Sequence, residues 1–375
     1  MLRDLVGRRV GIVRDLLTRA PEAGEPAIWI ANAELASCRS FFGRDAASAG
    51  GGAGLHAEAA VSSALGEAAE RYAAAGQSYW SVETAPVEAS QERWRTLIPE
   101  GVDDEPGEDW GWARDGCGAL VPASLVFMPY KPAEGERVRF VSASTGLAAA
   151  PTYAEAVRRG FLELVERDAV ARSWYGRCGA RRITLESASE DVVAAFKGAR
   201  VRASLYALDA FGGIPTALAV VECVRASKPL IAVGSASSAT WKGASAKALV
   251  EAAHSLAYVR FLTEREAGAP EWPPRDYAQH AVWPTHRPAD WRSASRFLAD
   301  AEEGCEPTSA DVDALMAAAD LHAFDLTTPD LRAVGVSAAR VVSPLFLPLS
   351  GDDSLRPTRH PRWPRNPNPW PHPMP

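Results

Sequence analysis

Two segments far apart in the chain carry nearly the same acidic pattern, Ser63-Ala-Leu-Gly-Glu67-Ala-Ala-Glu70-Arg71 and Glu163-Leu-Val-Glu166-Arg167-Asp168. On a helix, Glu-x-x-Glu brings both carboxylates to one face. Two such helices packed together gather four carboxylates, which repel one another unless cations neutralise them. The pattern points to a hard-metal site, with Glu67, Glu70, Glu163 and Glu166 as candidate ligands. One cassette alone reads better as a solvated helix face with internal ion pairs. It is the recurrence that argues for chemistry.

Composition narrows the class. With 375 residues, 47% of them hydrophobic, the chain can bury a large core. The net charge is −7, from 40 Lys and Arg against 47 Asp and Glu, with no basic run to track a nucleic-acid backbone. No stretch approaches the ~18 uncharged apolar residues of a membrane span, and Met1-Leu2-Arg3-Asp4 does not open a signal peptide. Cys38, Cys117, Cys178, Cys223 and Cys305 are widely spaced, with no Cys-x-x-Cys pair, which argues against a disulfide scaffold or a structural zinc site. The expectation is a cytoplasmic enzyme with free thiols and no nucleic-acid or membrane partner.

The acidic cassettes need helices to hold them. Val61, Leu65, Ala68 and Tyr72 fall at helical spacing within 57–75, leaving Ser63, Glu67 and Glu70 on another face. Thr152, with Glu155 three residues on, has capping-box spacing and starts a second helix that reaches about Tyr175. A third long helix is predicted over 244–261, with shorter ones at 192–196 and 310–318. A loose opening segment leads to the glycines of 48–54, which read as a turn or a tight backbone approach. Residues 81–117 read as loop with short strands, and 144–150 as the turn into the second helix. Strands are predicted at 138–141, 183–185, 204–208, 321–326 and 340–343, and at 217–223 and 230–234 as a pair across a polar turn. The fold class is α/β of the α+β type, with mixed, largely antiparallel sheets and long helices segregated to one side. Residues 1–350 form the main domain, and order thins beyond Gly351 into a proline-dense tail, 351–375, that favours polyproline II.

These residues together resemble the YcaO family. Gly51-Gly-Ala-Gly54, the Ser63 to Arg71 cassette, Ser144-Thr-Gly-Leu-Ala-Ala149 and Gly160-Phe-Leu-Glu163-Leu-Val-Glu166-Arg167-Asp168-Ala169 carry the resemblance. Pro371-His-Pro373-Met-Pro375 is similar to the Pro-x-Pro-x-Pro end of azoline-forming members, and Asp325-Leu-Thr-Thr-Pro-Asp330 to a segment of that branch.

The resemblance implies a YcaO fold and an ATP- and Mg2+-dependent cyclodehydratase acting on a ribosomally synthesised precursor peptide. A Cys, Ser or Thr side chain attacks the preceding amide carbonyl, ATP phosphorylates the oxygen, and loss of phosphate leaves a thiazoline or oxazoline. On this chain it implies Glu67, Glu70, Glu163 and Glu166 as Mg2+ ligands, and Ser63, Arg71, Arg167 and Glu251 at the nucleotide. It also implies a tail whose Pro371, Pro373 and Pro375 end in the active centre. Peptide backbone amidine or thioamide formation is the alternative within the family.

Two positions depart from the family pattern. Glu-x-x-Gln-x-Arg reads here Glu251-Ala-Ala-His254-Ser-Leu256, and Gly-Lys-Gly reads Gly52-Ala53-Gly54. With two cations gone, either Lys242, Lys247 or Arg260 compensates, or nucleotide binding is weak or depends on a partner, or the chain is a degenerate scaffold. The residues ahead of the glycine segment are too few for a leader-binding module, so a discrete subunit with a leader-binding partner protein is expected, itself a homodimer. No Gly-x-Gly-x-x-Gly fingerprint is present, which leaves azoline oxidation to a separate dehydrogenase.

Overall fold

A computed structural model describes the chain except for residues 1, 104–108, 142, 224–228 and 266–269. The opening segment is folded rather than loose: β1 (Val13–Arg19), β2 (Trp29–Leu35) and β3 (Ala49–Gly54) form an antiparallel sheet in that order. The glycines of β3 serve a tight approach, not a turn. Gly50, Gly52 and Gly54, alternating along the strand, lie against helix α1 (Ala57–Ala74). A Cβ on Gly52 would stand 2.3 Å from the Ala64 nitrogen and 2.4 Å from the Ala60 oxygen. Glycine every second residue on the strand and Ala60, Ala64 and Ala68 one turn apart on the helix let the two backbones touch. Val61, Leu65, Ala68 and Tyr72 are buried as their spacing predicts.

Strands β4 (Glu83–Pro86), β5 (Asp109–Arg114) and β6 (Leu120–Pro122) form a second small sheet. Residues 138–141 do not form a strand, and Val138 is exposed. The strand comes later, at β7 (Leu147–Ala150), after Gly146 turns the chain with φ 84°. Helix α2 (Tyr153–Gly176) follows, with the Thr152 hydroxyl accepting from the Glu155 N–H at 3.3 Å. Strands β8 (Ala180–Ile183), β9 (Arg202–Leu208), β10 (Thr216–Cys223) and β11 (Leu230–Ser237) make a four-stranded antiparallel sheet, and the long helix α3 (Trp241–Arg265) comes next. The polar turn expected between β10 and β11 falls mostly on 224–228, outside the described residues. Helix α4 (Tyr277–His286) precedes β12 (His322–Asp325) and β13 (Ser337–Val342), which complete a sheet with β7.

The fold is thus mixed α/β with antiparallel sheets, but its helices are not all on one side. One face of the four-stranded sheet packs Ala207, Ala217 and Ala219 against Ala248, Leu249 and Ala252 of α3. The other packs Tyr206, Leu218 and Val220 with Val170 and Trp174 of α2 and Trp283 of α4. Strands β10 and β11 are apolar on both faces, and a strand of that kind needs cover on both.

The tail does not thin out. It forms no helix or strand, yet His372 and Met374 are 0% and 2% exposed. Trp174 Nε1 donates to the Trp370 carbonyl at 3.0 Å, and the Asn368 N–H to the Tyr175 carbonyl at 2.7 Å. Arg362 meets the wholly buried Asp168 of α2 at 2.8 Å. Proline removes backbone donors and fixes φ, but it leaves side chains free to pack. The 325–330 segment is also structural: the Tyr72 hydroxyl of α1 donates to Asp330 at 2.5 Å.

Candidate active site

Three strand–helix units recur along the chain: β3 with α1, β7 with α2, and β11 with α3. The eleventh and fourteenth residues of each helix are Glu67 and Glu70, Glu163 and Glu166, and Glu251 and His254. Each strand touches its own helix and the helix of the preceding unit, with β3 reaching α3, so the units close a ring.

The hydrogen bonds follow that ring. The first acid of a unit accepts from its own backbone: Glu67 from the Gly51 N–H at 2.7 Å and Glu163 from the Gly146 N–H at 2.9 Å. The second reaches the following unit. Glu70 accepts from the Ala149 N–H of β7 at 2.9 Å, and Glu166 from the Ser235 hydroxyl of β11 at 2.5 Å. In the third unit His254 faces β3, where a Cβ on Gly51 would stand 2.8 Å from its Cε1.

The acids press on one another. Burial and then Glu163 push Glu70 up to about 8. Burial raises Glu163 against the pull of Arg167, and it raises Glu166 to about 7. Glu251 is also raised, first by burial of its carboxyl among the other acids and then by Glu166, although the residue as a whole keeps an exposed edge. Arg167 stands 3.8 Å from Glu163 and 3.9 Å from Glu166, while Arg71 pairs with Glu67 at 2.8 Å.

Among the described residues no His, Cys, Asp or Glu trio forms a ready-made metal cage. Mg2+ does not need one, because it keeps waters and takes one or two carboxylates together with phosphate oxygens. Carboxyls that raise one another's pKa lack positive charge, and their donors are hard oxygens. The donor set fits Mg2+ with a nucleotide phosphate.

The structure brings Glu67, Glu70, Glu163, Glu166, Glu251, Arg71 and Arg167 into one electrostatic cluster. Ser63 is exposed one turn before Glu67. The two positions without their cations share an apolar seam between β3 and α3: Leu256 is 2% exposed and Ala53 packs against the same cluster. Arg260 is committed to Glu25, and Lys242 is exposed near the start of α3. Lys247 acts on both Glu166 and Glu251.

Pro371 and Pro373 are buried and Pro375 is partly exposed. Pro373 and Met374 line a small apolar pocket with Val170, Trp174 and Leu218. The tail approaches the cluster through His372, which stacks on His280 at 4.0 Å and feels the charge of Arg167. Sequence reasoning missed Ser235, Tyr277 and Arg340. Tyr277 feels the charges of Arg167, Glu163, Arg71 and Arg340. The signal for Arg340 was a lone cation in the apolar run Ser337-Ala-Ala-Arg-Val-Val342 of a buried strand.

The profile of the YcaO cyclodehydratase family, described as ATP- and Mg2+-binding, matches residues 51–347. An uncharacterized protein of Methanothermobacter thermautotrophicus is 31% identical over 216 residues, 55% of this chain and 56% of its own. The chain thus spans little more than half the length of that curated relative. Among solved structures, a heterocyclase in complex with substrate and cofactor superposes with a TM-score of 0.70 at 20% identity, covering 99% of this chain and 56% of the heterocyclase. YcaO from Methanopyrus kandleri, bound with AMPPCP and Mg2+, gives 0.61 at 22% identity, covering 89% and 86% of the two chains. At such identities the structural likeness speaks for the fold.

Proposed function

The chain belongs to the YcaO cyclodehydratase family, an ATP- and Mg2+-binding family, and from that premise we propose that it catalyses ATP-dependent cyclodehydration of Cys, Ser or Thr residues in a ribosomally synthesised precursor peptide. The observation that carries this reading is the convergence of Glu67, Glu70, Glu163, Glu166 and Glu251 from three successive strand–helix units. In the proposal Glu67, Glu70, Glu163 and Glu166 hold Mg2+, and Ser63, Arg71, Arg167 and Glu251 lie at the nucleotide. Bound ATP supplies the phosphoryl group that turns an amide oxygen into a leaving group. The chain's own work is positioning and charge. Backbone N–H groups of β3, β7 and Gly146 just before β7, with the Ser235 hydroxyl, fix four carboxylates, and Arg167 stands near two of them. The tail, with Pro371, Pro373 and Pro375, walls the site beside α2. Leader recognition is assigned to a separate partner protein; the heterocyclase neighbour is nearly twice as long as the stretch it shares with this chain.

Glu67→Gln and Glu166→Gln test the reading. Each keeps side-chain size and removes a carboxylate, so Mg2+-dependent ATP consumption with precursor and partner should collapse while the fold persists. Undiminished turnover in both variants would sink the assignment. A second reading, a scaffold that binds precursor without turning over ATP, is favoured by the apolar Ala53–Leu256 seam. Calorimetry with an ATP analogue and Mg2+ separates the two: binding that tightens with partner or precursor supports the enzyme, and none in the full complex supports the scaffold.

A further inference from the structure

The eleventh and fourteenth residues of α1, α2 and α3 supply five carboxyls and one imidazole. His254 holds the place that Glu70 and Glu166 hold in their own units. Those two acids each accept a hydrogen bond from the following unit. His254 does not: among the described residues neither of its ring nitrogens has a hydrogen-bond partner, and neither is sealed from water. The residue is partly buried, and the charge of Glu67 reaches it.

Glycine at position 51 leaves room beside the ring. A Cβ there would stand 2.8 Å from His254 Cε1, 3.3 Å from His254 Nε2 and 3.7 Å from Glu67 Oε2. The missing side chain is therefore a small cradle, with an imidazole nitrogen on one side and a carboxylate oxygen on another. That carboxylate is already oriented, since Oε2 accepts from the Gly51 N–H at 2.7 Å and Oε1 from Arg71 at 2.8 Å.

An amide at 254, as in the family pattern, would offer Mg2+ another hard oxygen. An imidazole offers a nitrogen lone pair, which suits first-row transition ions better than Mg2+. Mn2+ fits both halves of the donor set, because it also favours carboxylates and water in an octahedral shell. Waters and phosphate oxygens complete that shell, so two protein donors suffice without a ready-made cage.

We propose that His254 Nε2 is a metal ligand beside Glu67, and that it biases the cation site toward Mn2+ over Mg2+. The inference rests on the acid cluster being a cation site, as proposed above, and names the ion that this chain's own departure from the family pattern favours.

The test is titration of the full chain with Mn2+ at about pH 8, where imidazole is neutral, read by electron paramagnetic resonance with Mg2+ as competitor. Pulsed spectra of the bound ion should show modulation from a directly bound nitrogen. His254→Gln should abolish that modulation and weaken Mn2+ by about tenfold or more, while Mg2+ affinity changes by less than about threefold. Gly51→Ala keeps the imidazole but fills the cradle, and should weaken Mn2+ likewise. Thermal melting reports whether each variant is folded, and if one is not, the other decides. Absence of any Mn2+ or Mg2+ binding would overturn both this inference and the cation-site reading. Bound Mn2+ without nitrogen modulation, modulation that survives in folded His254→Gln, unchanged Mn2+ affinity in the folded variants, or equal losses of Mn2+ and Mg2+ would overturn this inference alone.

Discussion

Glu67-Ala-Ala-Glu70-Arg71 and Glu163-Leu-Val-Glu166-Arg167 carry the same charges at the same spacing, yet their arginines hold different posts. Arg71 makes an ordinary ion pair one turn back to Glu67, with the two side chains 25% and 33% exposed. Arg167 stands just beyond hydrogen-bonding distance of two acids and bonds tightly to neither. The difference comes from what surrounds each helix. Helix α1 packs on β1, β2, β3, β7 and β13 and keeps Ser62 and Ser63 exposed, whereas α2 packs on β7, β11 and β13 and is covered by the tail as well. The motif specifies the charges, and the neighbours set how strongly they are felt.

Deleting Pro371 to Pro375 tests that enclosure with the largest expected effect. Met374 alone contributes about 2–5 kcal/mol by the usual cost of emptying a core site, and His372 also leaves unpaired partners behind. We expect a steep fall in melting temperature, with amide exchange accelerating first in α2 and the four-stranded sheet and last in α1. Equal acceleration in α1 would break the comparison. Next in size, Arg167→Ala should cost more than Arg71→Ala, because it removes a cation from beside both the buried Glu166 and the partly buried Glu163. Arg71→Ala should cost less than about 1 kcal/mol, as partly exposed helical pairs do. Denaturant melts of the two variants check the ratio, and equal losses would show the environments to be alike.

The smallest effects are in pH. Glu70 and Glu166 have folded pKa values of about 8 and about 7, above the unfolded value of 4.5, so the folded state holds extra protons, and the stability this gives is full below about 4.5 and gone once pH has risen past 7 to 8. Without Mg2+ the melting temperature should decline over that range, and Glu70→Gln should flatten the decline. His280 and His372 behave oppositely. Their pKa values are lowered, first by burial, so the stability they contribute is present above about 6.5 and is lost as pH falls. A His280→Phe/His372→Phe variant that keeps the full acid-side loss would refute their part in it.

Much of this was legible in the sequence. The cassettes and their helices follow from periodicity, and the paired strands β10 and β11 from short, nearly unbroken apolar runs. Strand β3 was not, since Ala-Gly-Gly-Gly-Ala-Gly has no strand propensity and is extended only because α1 lies on its backbone. The tail misled for a related reason: proline density predicts the absence of helix and sheet, which is correct, but it does not predict the absence of packing. Arg340 and Tyr277 join the site only through tertiary neighbours distant in sequence.

The closure of the ring between His254 and Gly51 bears on the order in which the protein can be made. Strand β3 is among the first segments to emerge from the ribosome, but the helix that covers its second face comes only after the whole four-stranded sheet has been synthesised. Until then one face of a glycine-rich strand stays uncovered in a crowded solution, a state in which edge-to-edge pairing competes with folding.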